Sequence, residues 1–281
     1  MAVTASMTGA PSHHNSMGNG TPRSSGLSMY DPLFVGIDEF GAQVTLDLVY
    51  RNILAGGEPG GGKSGLLNVV AAHAALSTDA RLVLFDGKQV ELGMWRHCAD
   101  AFVGPDLDHA IAVLKRLQQV MDNRYTWLLA NQRRKIARTD GLTVIVAIID
   151  EIALFSATLG TKQQQEEFAS LLRDLVARGR ACGIPVVAAT QRPSYDIIPT
   201  SLRDLFGYRA AFRCTTTNSS NIVLGQGWAE QGYCAADIPP TNQGACLLLA
   251  EGGIPRPVKV AYLSDRDIIA IAHHARTLRQ H

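Results

Sequence analysis

The chain has 281 residues, of which 46% are hydrophobic and 18% charged, and its 26 basic and 25 acidic residues leave a formal net charge of +1. This composition is typical of a globular protein with a sizeable core, and it excludes a polybasic protein whose whole surface clamps nucleic acid, although it allows a local basic face. The five cysteines, an odd number without a CxxC pair, suit neither a closed disulfide framework nor a zinc site, so we expect a reducing compartment and a cytoplasmic protein.

The N-terminal segment differs in composition from the rest of the chain. Residues 1–28 contain six serines, four glycines, no acidic residue and only two branched aliphatic side chains. Such a stretch cannot bury enough apolar surface to offset the entropy lost on ordering. We therefore predict a disordered tail over residues 1–29 and a single folded domain over residues 30–281.

Beyond the tail, short apolar runs alternate with longer amphipathic segments, which is typical of βαβ units. In chain order, the pattern predicts strands near 52–55, 82–85, 144–149, 186–190 and 209–213, a late strand pair around Leu247 and Val258, and helices over 63–76, 108–138, 164–180 and 265–278. All purely apolar runs are far shorter than the about 18 residues of a membrane span. The predicted fold class is α/β, with a mostly parallel central sheet covered by helices on both faces.

A glycine-rich loop follows the first predicted strand and opens the first predicted helix. It matches the pattern GxxxxGK[ST] in the residues Gly57, Glu58, Pro59, Gly60, Gly61, Gly62, Lys63 and Ser64, followed by Gly65. In such a loop the backbone N–H groups bind phosphate oxygens, Lys63 neutralises the β and γ phosphates, and the Ser64 hydroxyl can ligate magnesium. An ordinary turn would not need four glycines in six positions. We therefore predict ATP and Mg²⁺ as cofactors.

Two later strands end in polar side chains that suit the same site. The strand at 144–149 is followed by Asp150 and Glu151, and the strand at 186–190 by Gln191. Beside the phosphate loop, Asp150 would hold the magnesium ion through its water shell together with Ser64, and Glu151 would polarise the attacking water. Gln191 would sense the γ phosphate. Two alternatives remain open: the acids cap the next helix, or Gln191 belongs to a turn that Pro193 ends.

These motifs resemble the motor domain of FtsK/SpoIIIE-type DNA translocases and, within that group, the small transfer proteins of actinomycete conjugative plasmids. The segment Leu84–Leu92 is similar to the family pattern DPKxxEL, with Gly87 where the family usually has proline, and Met121–Tyr125 is similar to MExRY. The most diagnostic block runs from Arg180 to Ser194. The resemblance covers roughly residues 31–275.

The resemblance implies a RecA-like P-loop NTPase core that assembles into a hexameric ring, encircles double-stranded DNA and moves it by ATP hydrolysis. It also implies that an arginine of the neighbouring subunit completes each ATP site, and Arg180 and Arg209 match family arginines in position. Either arginine could instead form a surface ion pair. No segment resembles the family's winged-helix DNA reader or its membrane anchor, so we expect a membrane-anchored transfer partner to recruit the protein.

The candidate DNA contact is the region 115–138, which carries seven basic residues against a single acid, Asp122. The basic residues are Lys115, Arg116, Arg124, Arg133, Arg134, Lys135 and Arg138. A basic run on a helix can also be a solvated face, and this alternative remains open. In a ring, repeated basic surfaces can contact DNA phosphates even though the overall charge is near zero.

The predicted function is therefore an ATP-driven double-stranded DNA translocase that acts in conjugative plasmid transfer. Three alternatives are an FtsK-like ATPase of a protein secretion system, a DNA pump of the chromosome-partitioning type, and a nucleotide-binding switch with little turnover. Secretion motors usually occur in tandem, whereas this sequence contains one motor cassette. The acidic pair at 150–151 is unfavourable to the switch, because it suits hydrolysis.

Overall fold

The structure, a computed structural model, describes residues 26–278. Residues 1–25 of the predicted disordered tail lie outside this range, and residues 26–29 lie within it. Leu27 forms a parallel bridge with Ser77, and the side chains of Ser28 and Met29 are buried. The folded part includes residue 27 because Met29 belongs to the hydrophobic core and orders the backbone before it.

Within the described residues, one sheet has the strand order β2-β1-β10-β9-β8-β3-β7-β6-β4-β5. Its strands are β1 Leu33–Asp38, β2 Gln43–Leu46, β3 Ile53–Gly56, β4 Ala80–Phe85, β5 Ala101–Val103, β6 Val144–Ile149, β7 Val186–Thr190, β8 Tyr208–Phe212, β9 Ala245–Ala250 and β10 Arg256–Val260. The strands from β8 to β5 in this order are parallel, and those from β2 to β8 are antiparallel. The carboxyl ends of the parallel strands therefore share one edge of the sheet.

Helices cover both faces of the parallel strands. They are α1 Lys63–Leu76, α2 Leu107–Ala130, α3 Lys162–Arg178, α4 Thr200–Arg203, α5 Thr217–Leu224 and α6 Asp265–Leu278. Alternate residues of β6 point to opposite faces, so that Val146 packs in the core with α1 and α6 while Ala147 packs in the core with α2 and α3. None of these helices is long and apolar enough to cross a lipid bilayer. The predicted α/β fold, with a mostly parallel sheet between helices, is confirmed.

Four elements, α1, β6, β7 and α6, have the predicted bounds. The helix predicted over 108–138 is wrong at its end, because it stops at Ala130. Gln132 adopts a left-handed backbone with φ of 54°, which a continuing helix does not allow. The chain then turns back, and Asp140 accepts hydrogen bonds from the Ala137 N–H and from Arg133.

Other differences follow from local polar contacts and short elements. Helix α3 begins at Lys162 because Thr161 caps it. The Thr161 hydroxyl accepts from the Gln164 N–H, and the Gln164 side-chain oxygen accepts from the Thr161 N–H, which completes a capping box. The sequence pattern did not predict β1, β2, β5, α4 or α5. Strand β5 has only three residues, and β2 has only four, which is too short for a period of two to be recognised.

Candidate functional site

The phosphate loop lies between β3 and α1 and adopts a conformation that requires glycine. Gly60 and Gly62 have φ angles of 76° and 106°, which favour glycine over any other residue. A Cβ at Gly62 would lie 2.4 Å from the Cα of Gly244, and the Gly244 N–H donates to the Gly61 carbonyl at 2.9 Å. The segment before β9 therefore holds the loop from outside, a contact that no local motif indicated.

Lys63 is held inside this loop, where its side chain is only 6% exposed. Its ammonium donates to the carbonyls of Gly57 and Glu58 at 2.6 and 2.9 Å. An ammonium has three protons, so one donor remains for a phosphate oxygen. Burial lowers the pKa of Lys63, while the nearby carboxylates of Glu151 and Asp150 partly oppose that shift.

Asp150 is the most unusual carboxylate of the site. It is 5% exposed, and its Oδ2 is buried without a hydrogen-bond partner among the described residues. Burial, and then the nearby charges of Asp86 and Glu91, raises the pKa of Asp150 to about 7. A buried oxygen without a donor suits a hard cation that carries its own water molecules.

The residues present fit a magnesium ion that arrives with the nucleotide. Ser64 and Asp150 line the same cavity of about 640 Å³, together with Lys63, and this space is called the loop cavity below. No group of three acidic, histidine or cysteine side chains within residues 26–278 is arranged to hold a metal by itself. Mg²⁺ usually binds through one or two carboxylates, waters and substrate phosphates, so these two side chains are sufficient on the protein's side.

Glu151 connects the end of β6 to the end of β7. Its Oε1 accepts from the Ala153 N–H at 3.1 Å, and its Oε2 accepts from the Gln191 N–H at 2.8 Å. Gln191 itself lines both the loop cavity and a second cavity of about 670 Å³. Glu151 also lines this second cavity, which is called the Glu151 cavity below. Glu151 therefore bonds to the start of the following helical turn, whereas the Oδ2 atom of Asp150 has no partner among the described residues. A shift of Gln191 at the tip of β7 would change the hydrogen bonds of Glu151 directly.

The segment after β4 also reaches the site, although no role was predicted for it. The buried carboxylate of Asp86 accepts from the backbone N–H groups of Lys88, Gln89 and Leu92 at 3.1, 2.8 and 2.8 Å. This fixed turn places Lys88 beside the Glu151 cavity and Glu91 beside the loop cavity. The pattern Leu84–Leu92 identified the segment, but only the strand order brings it next to Asp150.

Other predicted loop residues contribute through the backbone rather than the side chain. Glu58 points away from the loop cavity, because its carboxylate forms an ion pair with Arg213 at 2.7 Å and accepts from the Thr215 hydroxyl at 3.2 Å. Pro59, Gly60 and Gly65 line the loop cavity. Arg213, at the end of β8, escaped the sequence analysis although it follows a strand tip.

The two candidate trans arginines lie toward the sheet edge opposite Asp150. Arg180 donates to the carbonyl of Tyr50, just before β3, and lies 3.4 Å from the Glu251 carboxylate. Arg209 is the second residue of β8 and lies 3.7 Å from the Asp204 carboxylate. Neither side chain contacts the phosphate loop of its own chain or lines the two cavities beside it.

The basic region 115–138 is not one continuous helical face, so this prediction needs correction. Arg124 is buried and donates to the carbonyls of Cys182 and Thr143, which makes it structural. Lys115 forms an ion pair with Glu167 on α3 at 2.6 Å. The other cluster, residues 133–138, lies in the loop after α2, because that helix ends at Ala130.

Replacement of two buried aspartates, which lie at neighbouring strand tips, is expected to change the stability of the protein in opposite directions. In the absence of nucleotide and divalent metal, Asp150→Asn is expected to raise the thermal unfolding midpoint by a few degrees, because it removes a buried charge that lacks a hydrogen-bond donor. Asp86→Asn is expected to lower the midpoint by several degrees, since one buried N–H loses its acceptor, at a cost of about 1–3 kcal/mol. Scanning calorimetry at pH 8 checks both, and equal shifts in the same direction would contradict the charge argument.

Comparison with known proteins supports the sequence resemblance. The family model described as FtsK/SpoIIIE family matches residues 29–144. DNA translocase SftA of Bacillus subtilis is 28% identical over 262 residues, which are 86% of this chain and 26% of that protein. DNA translocase FtsK of Borreliella burgdorferi is 30% identical over 265 residues, which are 87% of this chain and 32% of that protein. The chain thus spans about a quarter to a third of these relatives.

The fold is also similar to that of a solved conjugation coupling protein. The conjugation coupling protein TcpA of pCW3, solved as a monomer with ATPγS, superposes with a TM-score of 0.75 at 23% identity. The aligned region covers 87% of this chain and 70% of the TcpA chain. At this level of identity the likeness concerns the fold alone. The motifs, the family model and the translocase sequences agree, and residues 29–144 of the chain match the FtsK/SpoIIIE family.

Proposed function

We propose that the protein is an ATP-driven double-stranded DNA translocase that works as a hexameric ring in conjugative plasmid transfer. The observation that carries the proposal is the convergence of Lys63, Asp150 and Glu151 at one sheet edge, around cavities that suit a nucleoside triphosphate and magnesium. The translocase relatives at 28–30% identity favour DNA as the moved polymer. A membrane-anchored transfer partner would recruit the ring to the conjugation site.

The roles follow from the geometry of the individual groups. The loop N–H groups and Lys63 bind the phosphates, and Ser64 and Asp150 would hold a magnesium ion, which would supply positive charge to the phosphates. Glu151 orients the attacking water and accepts its proton. Gln191 senses the γ phosphate, and its backbone N–H donates to Glu151. Loss of the γ phosphate would move the tip of β7 and thereby change the position of the Glu151 carboxylate.

The decisive measurement is the steady-state ATP hydrolysis rate with and without double-stranded DNA. We expect stimulation by duplex DNA of any sequence, and no stimulation by an unfolded export substrate. A rate unaffected by DNA but raised by a secretion substrate peptide would favour the secretion ATPase. Absence of turnover in the presence of MgATP and DNA would favour a nucleotide-binding switch.

A trans arginine predicts rescue between two inactive variants. Arg180→Ala, or Arg209→Ala, is expected to fold and bind nucleotide but hydrolyse it poorly, because charge developing on the γ phosphate lacks its cation. Mixing such a variant with Glu151→Gln is expected to restore part of the activity, since an intact arginine and an intact site then meet at some interfaces. Native mass spectrometry confirms mixed oligomers. No rescue in mixed oligomers would assign both arginines to their ion pairs.

The proposed DNA contact is the loop after α2, where Arg134 is exposed and has no ion-pair partner among the described residues. Arg133 and Lys135 are also exposed, although Arg133 pairs with Asp140 and Lys135 lies 4.2 Å from the ring centroid of Tyr50. Contacts to phosphates position a protein without reading base sequence. Binding through this loop is therefore expected to depend strongly on salt and weakly on sequence.

Charge removal at Arg133, Arg134 and Lys135 is expected to weaken binding to all duplexes alike and to reduce the salt slope by up to about three. Titrations between about 50 and 200 mM salt, with random and plasmid-derived duplexes, measure both quantities. The control removes Arg266 and Arg276 from the exposed part of α6 and is expected to change little. Preference for one site by roughly a thousandfold would show base readout instead.

A further inference from the structure

A single aromatic ring projects from the short connection between β10 and α6. Tyr262 is 81% exposed, although it lies between two anchored residues. The Ala261 N–H donates to the Val35 carbonyl at 2.9 Å, and Leu263 packs against the core. The next residue, Ser264, caps α6 by exchanging hydrogen bonds with Asp267. The ring is therefore presented by a rigid backbone.

This connection touches the start of the phosphate-binding helix. A Cβ at Gly65 would lie 3.5 Å from the Ala261 carbonyl oxygen and 3.7 Å from a Val260 methyl group. The Val260 N–H also donates to Gly244, whose own N–H holds the Gly61 carbonyl of the phosphate loop. The end of β10 and the phosphate loop are thus one connected structure, although about 200 residues separate them in sequence.

The loop cavity extends between these two parts. Lys63 and Ser64 line it on the side of the phosphate loop, and Tyr262 and Leu263 line it on the side of the β10–α6 connection. A nucleotide offers phosphates at one end and a flat aromatic base at the other. Stacking of a base on an aromatic side chain contributes about 1–3 kcal/mol and accepts any base, because every base has a π-face.

We propose that Tyr262 is the base-binding residue of the nucleotide site and stacks on the base of the nucleoside triphosphate. This inference rests on the proposed ATP hydrolysis and adds the half of the ligand that the sequence motifs leave unassigned. The side chain contributes ring area rather than a hydrogen bond, so phenylalanine can replace it. The phosphate-binding part of the site does not depend on it.

The test compares a ligand that has a base with one that lacks it. Isothermal titration calorimetry measures the affinities of ATPγS and of inorganic tripolyphosphate for the full chain and for Tyr262→Ala. We expect Tyr262→Ala to weaken ATPγS binding about tenfold, which corresponds to about 1.4 kcal/mol, and to leave tripolyphosphate binding unchanged. Tyr262→Phe is expected to bind ATPγS within about twofold of the unmodified chain.

The matched control is Phe40→Ala, which removes another exposed ring, 87% accessible, from the β1–β2 turn at the opposite edge of the sheet. It is expected to change neither affinity. Unchanged ATPγS binding in Tyr262→Ala, or an equal loss for both ligands, would overturn the assignment. An unmodified chain that binds neither ligand would overturn the proposed function itself. If the unmodified chain binds both ligands, the comparison with Tyr262→Ala tests only the role of Tyr262 in binding the base.

Discussion

Replacement of Glu151 by glutamine is expected to reduce ATP turnover at least about 100-fold while nucleotide binding persists, because a general base contributes about 10²–10⁴ to the rate. Glutamine cannot accept the proton of the attacking water. Its amide oxygen can keep one of the two hydrogen bonds, to Ala153 or to Gln191, while its NH₂ group faces the other N–H. A small loss of stability is therefore expected as well.

The measurement is a single-turnover hydrolysis assay beside an equilibrium binding titration, so that chemistry and binding are separated. Glu39→Gln provides the control, because it makes the same charge change in the exposed β1–β2 turn. Hydrolysis by Glu151→Gln within about twofold of the unmodified rate would remove Glu151 from the proposed role. Activity would then have to be sought in another group of the Glu151 cavity, such as Lys88.

Replacement of Lys63 by alanine is expected to weaken ATP binding by about 2–5 kcal/mol, or roughly 30-fold to several thousandfold, because a buried ammonium that contacts phosphate is lost. Unlike Glu151, Lys63 contacts phosphate already in the ground state, so the loss shows in binding as well as in turnover. Titration calorimetry with ATPγS measures it.

Lys162→Ala is the control for this variant, since Lys162 is an exposed lysine at the start of α3 and lies outside both cavities. In Lys63→Ala the carbonyls of Gly57 and Glu58 lose their donor. Thermal unfolding is therefore needed to verify that this variant keeps its fold. Unchanged ATPγS affinity in a folded Lys63→Ala protein would contradict phosphate binding by this loop.

The sequence alone determined the bounds of the elements that bear the proposed phosphate-binding residues. The bounds of α1, β6 and β7 were predictable because apolar periodicity and glycine spacing are local properties, readable within ten to twenty residues. The same holds for Lys63, Asp150 and Glu151, since parallel strands bring their carboxyl ends to one edge in any order. The end of α2 was not predictable from apolar spacing, because the helix stops at a left-handed backbone at Gln132, a residue type that gives no sequence signal for such a turn.

Tertiary structure decided which distant segments complete the site. The packing of Gly244 on Gly62, the hydrogen bond from Gln191 to Glu151 and the approach of Tyr262 to the loop cavity all depend on the strand order. Arg124 likewise became structural only because the fold brings α2 close to the segments before β6 and β7, where the carbonyls of Thr143 and Cys182 accept its protons. Strand order is set by the burial of whole faces across the sheet, so no local run of residues specifies these contacts.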